Sequence, residues 1–408
     1  MVTIELDIVG LGAQGDGIAD TGSGAQYIAF ALPNERVRIS DDGLPEVVGN
    51  ASADRTTPLC RHFGTCGGCV AQHMSDQLYA GWKRDIVIEA FHQHGLDPEC
   101  APLRRIAAGS RRRAVLSARR ESGHPVTLGY HRRKSDQLFD MHECPVLTPT
   151  ITAQLAALRA IATAIPGRET RVTVLSTQGG LDISADHDGS RLGPAAIAEL
   201  GRIAAKHRFS RIAINGETVI ERTTPALAFG GVDGVPPPGA FVQAVEAAEV
   251  EISQLVLGAV GKAKRVADLF CGLGAFTFPL ARNSRVLAVD GDEMALASLA
   301  SAARRAQGLK PIETKLRDLF HDPLSARELE GLDAVVFDPP RAGAKKQAER
   351  LAQSKVPLVI AISCDPGTLA RDARILVDGG YHIEGVTPVD QFLFSARVEA
   401  VAVLRRRR

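Results

Sequence analysis

The 408-residue chain predicts an α/β architecture: a doubly wound parallel sheet in its C-terminal part, preceded by a small β-barrel and a mixed α+β middle. Three observations carry that expectation. From Val245 onward, apolar runs suited to buried strands (Val266–Phe270, Val286–Val289, Ala334–Phe337, Leu358–Ser363) alternate with helix-forming segments, the pattern of a parallel sheet covered on both faces. Near the N-terminus, short strand candidates are punctuated by glycines, which suits a small barrel. The length exceeds one ordinary domain, and 45% apolar residues is enough for several cores.

The barrel is assigned to residues 1–55. Its strand candidates are Thr3–Val9, Gln26–Ala31 and Glu35–Ser40, with the glycine-punctuated stretch Gly10–Gly17 between the first two. A central region, 56–235, opens with the cysteine-rich Cys60–Cys69. A helix follows over Asp76–Gly95, stopped by Gly95 and Pro98 and expected to pack on the C-terminal domain. Further along come a helix at Thr150–Ile165, strands at Arg171–Ser176 and Leu181–Ala185, and a helix at Pro194–His207. Strands at Arg211–Asn215 and Thr218–Glu221 complete the region. Gly230–Gly239 is too rich in Gly and Pro for regular structure and reads as a linker into a domain at 236–408.

With 48 basic and 47 acidic residues the chain is near neutral, but the charge is unevenly spread. Between Ala101 and Lys134 stand ten Lys or Arg residues against one acid, Glu121, and the chain ends in Arg405–Arg408. Such a run serves either as a solvated surface or as a face for a polyanion. The first ten residues have no signal-peptide pattern, and no stretch is long and apolar enough for a membrane span, so a cytoplasmic protein, off the membrane, is expected. Seven cysteines in this spacing do not suggest a disulfide framework.

The first C-terminal strand runs into Asp268-Leu269-Phe270-Cys271-Gly272-Leu273-Gly274-Ala275. Glycines after a strand let a ligand approach the backbone at the carboxyl edge of a sheet. The second strand ends in Asp290, 18 residues after Gly272, where a carboxylate can bind ribose hydroxyls. Thr277 stands where a dinucleotide fingerprint has its third glycine, so adenosine without a pyrophosphate fits better, favouring S-adenosylmethionine over NAD. The fourth strand ends in Asp338-Pro339-Pro340-Arg341; adenine amino-methyltransferases often carry an aromatic at the position of Arg341. The fifth ends in Ser363-Cys364-Asp365-Pro366. A lone cysteine is more often core than catalyst, but Cys364 follows a central strand beside the expected cofactor loop.

Together these residues resemble the uracil-5 RNA methyltransferase family, especially its 23S ribosomal RNA members, over nearly the whole chain. Gly12–Ala19 and the following strands resemble its TRAM domain, an oligonucleotide-binding barrel. Cys60-x5-Cys66-x2-Cys69 with Cys144 resembles its iron–sulfur motif. Phe241-Val242-Gln243, Asp268–Gly274, Asp338–Gly343, Ser363–Pro366 and Asp390–Glu399 match its catalytic signatures in order. The resemblance implies a Rossmann-like class I methyltransferase domain that uses S-adenosylmethionine to methylate C5 of a uridine in RNA. By position Cys364 is the nucleophile that adds to C6, making C5 nucleophilic, and Glu399 is the base that removes the C5 proton. It implies further that Gln243, Phe270, Gly272, Asp290, Asp318 and Asp338 line the cofactor site. Phe241, Gln243 and Asp338 are implied to meet a base flipped out of folded RNA.

Some positions depart from the family pattern. Ala275 replaces a cofactor-contacting Asn, Ala244-Val245 follow the Gln in place of a pair that includes Asn, Gln391-Phe392-Leu393 replaces Met-Phe-Pro, and Asp365 replaces Asn. The cysteine spacing fits neither a zinc ribbon nor a radical-SAM enzyme. The resemblance chooses a [4Fe–4S] cluster on Cys60, Cys66, Cys69 and Cys144 over zinc, and leaves Cys100 over. Barrel and cluster together favour 23S rRNA over the T-loop of tRNA as partner, for an enzyme expected to be a monomer. Cytosine-5 methylation is disfavoured because Asp338 stands near where such enzymes carry a second cysteine. A non-catalytic RNA-binding or assembly factor would need neither Cys364 nor Glu399.

Overall fold

A computed structural model of the chain describes residues 5–22, 24–39 and 45–406. Thr3, Ile4, Ser40, Arg407 and Arg408, which the sequence reading used, lie outside the described residues.

The N-terminal sheet has five antiparallel strands, Glu5–Leu11, Gly17–Asp20, Ala25–Ile28, Arg36–Ile39 and Pro45–Val48, in the order third, second, first, fourth, fifth. Alternation in the first strand turns Leu6 and Ile8 inward, where they meet Ala19, Ile28, Ala31 and Val37 in a small core. Among the described residues no ladder joins the two end strands, so these strands form an open sheet where a barrel was expected. Two polar contacts dock it on the rest: Trp82 Nε1 donates to the Gly12 carbonyl (2.9 Å), and Arg133 pairs with the buried Asp16.

The central region is built on seven strands in the order Glu217–Glu221, Arg211–Ile214, Gly180–His187, Glu169–Thr177, Arg113–Arg119, Thr127–His131, Leu138–Asp140. Ala114, Leu116, Ala118, Val172, Val174, Ile183 and Ala185 face a core closed by the helices Leu155–Ala164 and Pro194–His207. The expected helix over Thr150–Ile165 is in fact two, Pro149–Thr152 and Leu155–Ala164. Gln154 leaves helical geometry between them (φ −109°, ψ 9°), and its side chain bonds His207 Nδ1 at 2.7 Å. The expected linker also holds structure. Leu227–Phe229 and Val232–Gly234 form a hairpin whose turn, Gly230-Gly231, has φ of +55° and +80°. Two successive positive φ values suit a tight hairpin and explain the paired glycines.

The C-terminal sheet runs Ile312–Leu316, Arg285–Asp290, Arg265–Leu269, Ala334–Phe337, Leu358–Ser363, Glu399–Arg406, Tyr381–Val389. The first five strands are parallel, and the last two add an antiparallel edge. The sheet is therefore mixed: the expected parallel strands carry an added antiparallel edge. Strand 399–406 lies beside strand 358–363, with Ala400 opposite Ser363, so Glu399 and Cys364 come to the same edge.

The helix Asp76–His92, capped by Ser75 Oγ accepting from the Leu78 amide, packs its Trp82, Val87 and Phe91 into the core shared with Leu369, Ala370 and Ala373 of the helix Pro366–Asp378. Its polar residues are equally committed. Lys83 is fully buried; its ammonium donates to the carbonyls of Phe392 (3.2 Å) and Arg397 and lies 3.4 Å from Asp390. The Tyr79 hydroxyl donates to Asp390 (2.8 Å) and accepts from the Phe394 amide (2.9 Å). Residues 390–398 are thus held from outside their own sheet, with Phe394 in the left-handed region (φ +60°). No helix among the described residues is long and apolar enough to cross a membrane.

Candidate active site

Strand 265–269 turns at Phe270, itself left-handed (φ +59°), into Gly272 and Gly274 (φ +51° and +93°). At Gly274 a Cβ would lie 2.7 Å from the Phe278 ring, so only glycine fits; beside Gly272 the space is open. Asp290 holds this turn, accepting from the Gly272 amide (2.7 Å) through one oxygen and from the Asp292 amide (2.8 Å) through the other. Each oxygen keeps a lone pair for a further donor such as a ribose hydroxyl. Thr277 has its own reason to replace glycine: its hydroxyl donates to Asp268 (2.5 Å), whose carboxyl burial pushes up to about 7. Phe270 sits 5.3 Å from Phe320, placing aromatic surface beside the loop. Asp318 accepts from the Phe320 amide (2.9 Å) and from His321 Nδ1 (2.7 Å); the His321 contact holds its carboxyl below the usual range. An open site beside Gly272, a free lone-pair set on Asp290 and flanking aromatics fit an adenosine-bearing cofactor.

The second half of the site is a chain of side chains drawn from distant elements. Gln243, almost wholly buried, donates from Nε2 to Asp338 (2.8 Å). Its Oε1 accepts from Gln391 Nε2 (2.7 Å), which also donates to Glu399 Oε2 (2.9 Å). Glu399 is 2% exposed, so the exposed strand carboxylate that its sequence position would suggest by itself is not what the fold makes of it. Burial first, then the neighbouring Asp338, raises its pKa well above the ordinary glutamate value, against the Gln391 bond. Burial likewise pushes Asp338 up to about 7. Cys364 is half-buried, and burial, Glu399 and Asp338 push its thiol up to about 11. Thiol and carboxylates therefore sit within electrostatic reach at one edge of the sheet, an arrangement able to exchange protons with a bound base. Phe241, by contrast, is 73% exposed at the rim, with the Arg113 guanidinium 5.6 Å from its ring centre.

Cys60, Cys66, Cys69 and Cys144 line one cavity of about 180 Å³, together with Gln72, Tyr130, Phe392 and Leu393. All four are free thiols, and burial raises each, Cys69 to about 12. Among the described residues no group of three or more His, Cys, Asp or Glu side chains is placed to hold a metal ion. The cysteine loop touches the catalytic segment directly: the amides of Val70 and Ala71 both donate to the Phe394 carbonyl (2.8 and 3.2 Å).

No motif or spacing marks Tyr79, Lys83 or Asp390 as functional, and Gln391 stands out in the sequence only as a departure from the family pattern. Comparisons with known proteins then identify the chain. A 23S rRNA (uracil(1939)-C(5))-methyltransferase of Halomonas elongata is 33% identical, aligning over 98% of this chain and 89% of its own length. The chain belongs to the RNA (uracil-5-)-methyltransferase family. An uncharacterized RNA methyltransferase of Rhizobium meliloti is 46% identical over the full length of both chains. The family model described as tRNA (Uracil-5-)-methyltransferase matches residues 324–407, the part that carries Cys364 and Glu399. In fold, the chain is similar to the Pyrococcus abyssi tRNA (uracil-54, C5)-methyltransferase solved with S-adenosyl-L-homocysteine (TM-score 0.76, 21% identity, 98% of this chain and 99% of that one). The protein is an S-adenosylmethionine-dependent RNA methyltransferase of the uracil-5 type.

Proposed function

We propose that this RNA (uracil-5-)-methyltransferase acts on a uridine of 23S rRNA, with Cys364 as nucleophile and Glu399 as base. The observation that carries the chemistry is the hydrogen-bonded chain Asp338–Gln243–Gln391–Glu399 closing beside Cys364. The free thiol is held neutral; it loses its proton to solvent and adds as the thiolate to C6 of the uracil. The C6–S bond forms, and the C5=C6 pair becomes enolate-like at C5. S-adenosylmethionine supplies the electrophilic methyl that C5 takes. Glu399 then accepts the C5 proton, the C–H electrons restore C5=C6, and the C6–S pair returns to Cys364. Asp338 and Gln243 offer polar groups on the same cleft for the uracil edge. Phe270, Gly272, Asp290 and Asp318 are assigned to the cofactor side, and Phe241 over Arg113 to the rim where an extruded base passes.

The Halomonas relative favours 23S rRNA over tRNA. With labelled methyl donor, 23S rRNA fragments should acquire 5-methyluridine while tRNA transcripts stay unlabelled; the reverse pattern rejects the ribosomal assignment. We assign Cys60, Cys66, Cys69 and Cys144 to a [4Fe–4S] cluster. The support is that all four line one cavity of about 180 Å³, the three-cysteine loop and Cys144 being brought together there by the fold. When bound, such a cluster would clip the cysteine loop and Cys144 together next to residues 392–395, with no redox step assigned to it. Anaerobically purified protein should be brown and carry about four irons and four sulfides per chain, lost in Cys69→Ser. Stoichiometric zinc without iron overturns that assignment.

A further inference from the structure

We propose that Gln391 is a positioning residue for proton abstraction: its amide ties one oxygen of Glu399 and one of Gln243, leaving Glu399 Oε1 as the atom that takes the C5 proton. The inference rests on the reading of Glu399 as the base. Gln391 is 2% exposed, and its Nε2 donates both to Gln243 Oε1 (2.7 Å) and to Glu399 Oε2 (2.9 Å). Glu399 Oε1 is buried with no hydrogen-bond partner among the described residues. A buried acceptor left unpaired is costly, and in this site the substrate's C5–H is the group it can serve. As Oε1 takes that proton, the C5–H electrons form C5=C6 and the C6–S pair leaves with Cys364.

The backbone on either side of Gln391 is held rigidly. Asp390 is gripped by Tyr79 and Lys83, and the Asp390 amide donates to the Arg104 carbonyl (2.9 Å). Lys83 also binds the carbonyls of Phe392 and Arg397, two residues before Glu399. An amide so fixed cannot follow a wandering carboxylate, so it defines where Glu399 stands. A side chain without a donor, such as the Met of the family pattern at this position, cannot make the bond. The charged and titratable groups around Glu399 are Asp338 and Cys364 across the cleft, with Arg341 beyond Cys364 and the Lys83–Asp390–Arg105 cluster behind the Gln391 backbone. Gln391 is the donor among them that reaches the carboxylate, and a donor favours the ionised form; the direction of its effect on Glu399 agrees.

The test is the pH profile of methyl transfer at saturating RNA and cofactor for wild type, Gln391→Met and Gln391→Leu, with Glu399→Gln alongside. Met keeps the volume of Gln and removes the donor. Both donor-free variants should move the acid limb up by about one pH unit, roughly tenfold in rate below the limb. On that limb, methylated RNA should accumulate covalently on the enzyme in a denaturing gel, a signature that loss of packing alone does not give. An acid limb at the wild-type pH in both variants overturns the role of Gln391. If Glu399→Gln turns over normally and traps no adduct, the reading of Glu399 itself fails, and that outcome is separate from the first.

Discussion

Replacing Glu399 by glutamine should slow turnover by about 10²- to 10⁴-fold, the range for removal of a positioned general base, while leaving methyl transfer to C5 intact. The distinction follows from the order of steps. Attack by Cys364 and methylation of C5 need no proton from C5, whereas release needs that proton removed. A variant lacking the base therefore proceeds to the methylated, covalently bound uridine and stalls. Denaturing gels should show an RNA–protein band carrying the labelled methyl, and single-turnover labelling should approach one methyl per enzyme while multiple turnover collapses. Glutamine preserves the shape of the buried site and can still meet Gln391, so loss of fold does not explain the stall. The same burial predicts a pH dependence. Glu399 is raised well above the ordinary carboxylate range and must be ionised to act, so turnover falls as pH drops through that raised value and recovers above it.

Cys364→Ala has the other large effect and the opposite signature. Without the C6–S bond, C5 is never activated, so methylation should fall by at least about four orders of magnitude with no adduct at any time. Alanine leaves a small void at a half-buried position, so thermal unfolding should shift little while labelled methyl incorporation vanishes. Cofactor binding, proposed for the Gly272 and Asp290 side of the cleft, should remain near the wild-type value by calorimetry. A variant that retained methylation within tenfold would remove Cys364 from the mechanism.

How much of this was legible in the sequence depends on distance along the chain. Strands 334–337 and 358–363 are buried on both faces and announce themselves as unbroken apolar runs. The edge strand Ile312–Leu316, with Glu313 and Thr314 exposed, offers no such run, and Tyr381–Val389 is interrupted by Glu384 and a bulge at Gly385. Arg113–Arg119 alternates outward Arg, Val and Ser with inward Ala and Leu. Its outward arginines mask a strand that lies inside the sheet. The glycine loop, Asp290, Asp338 and Cys364 were legible because each stands at a strand end, a local feature. Gln391 meets Gln243 across 148 positions, and Lys83 meets the Arg397 carbonyl across 314. No period or spacing links such partners; the packing of the helix Asp76–His92 and of the Gln243 segment against residues 390–399 brings them together. The four cysteines fall between these cases, since three share a loop and Cys144 joins them only through the fold.

The central claim, that Cys364 attacks C6 of a uridine in RNA, is tested most directly by trapping. A fluorine at C5 cannot be abstracted as a proton, so a methylated 5-fluorouridine adduct has no route to elimination. Incubated with cofactor and 23S rRNA fragments containing 5-fluorouridine, the wild-type protein should form a covalent band stable to denaturation, and Cys364→Ala should form none. Absence of that band with the wild-type protein, or its persistence in Cys364→Ala, would contradict the account.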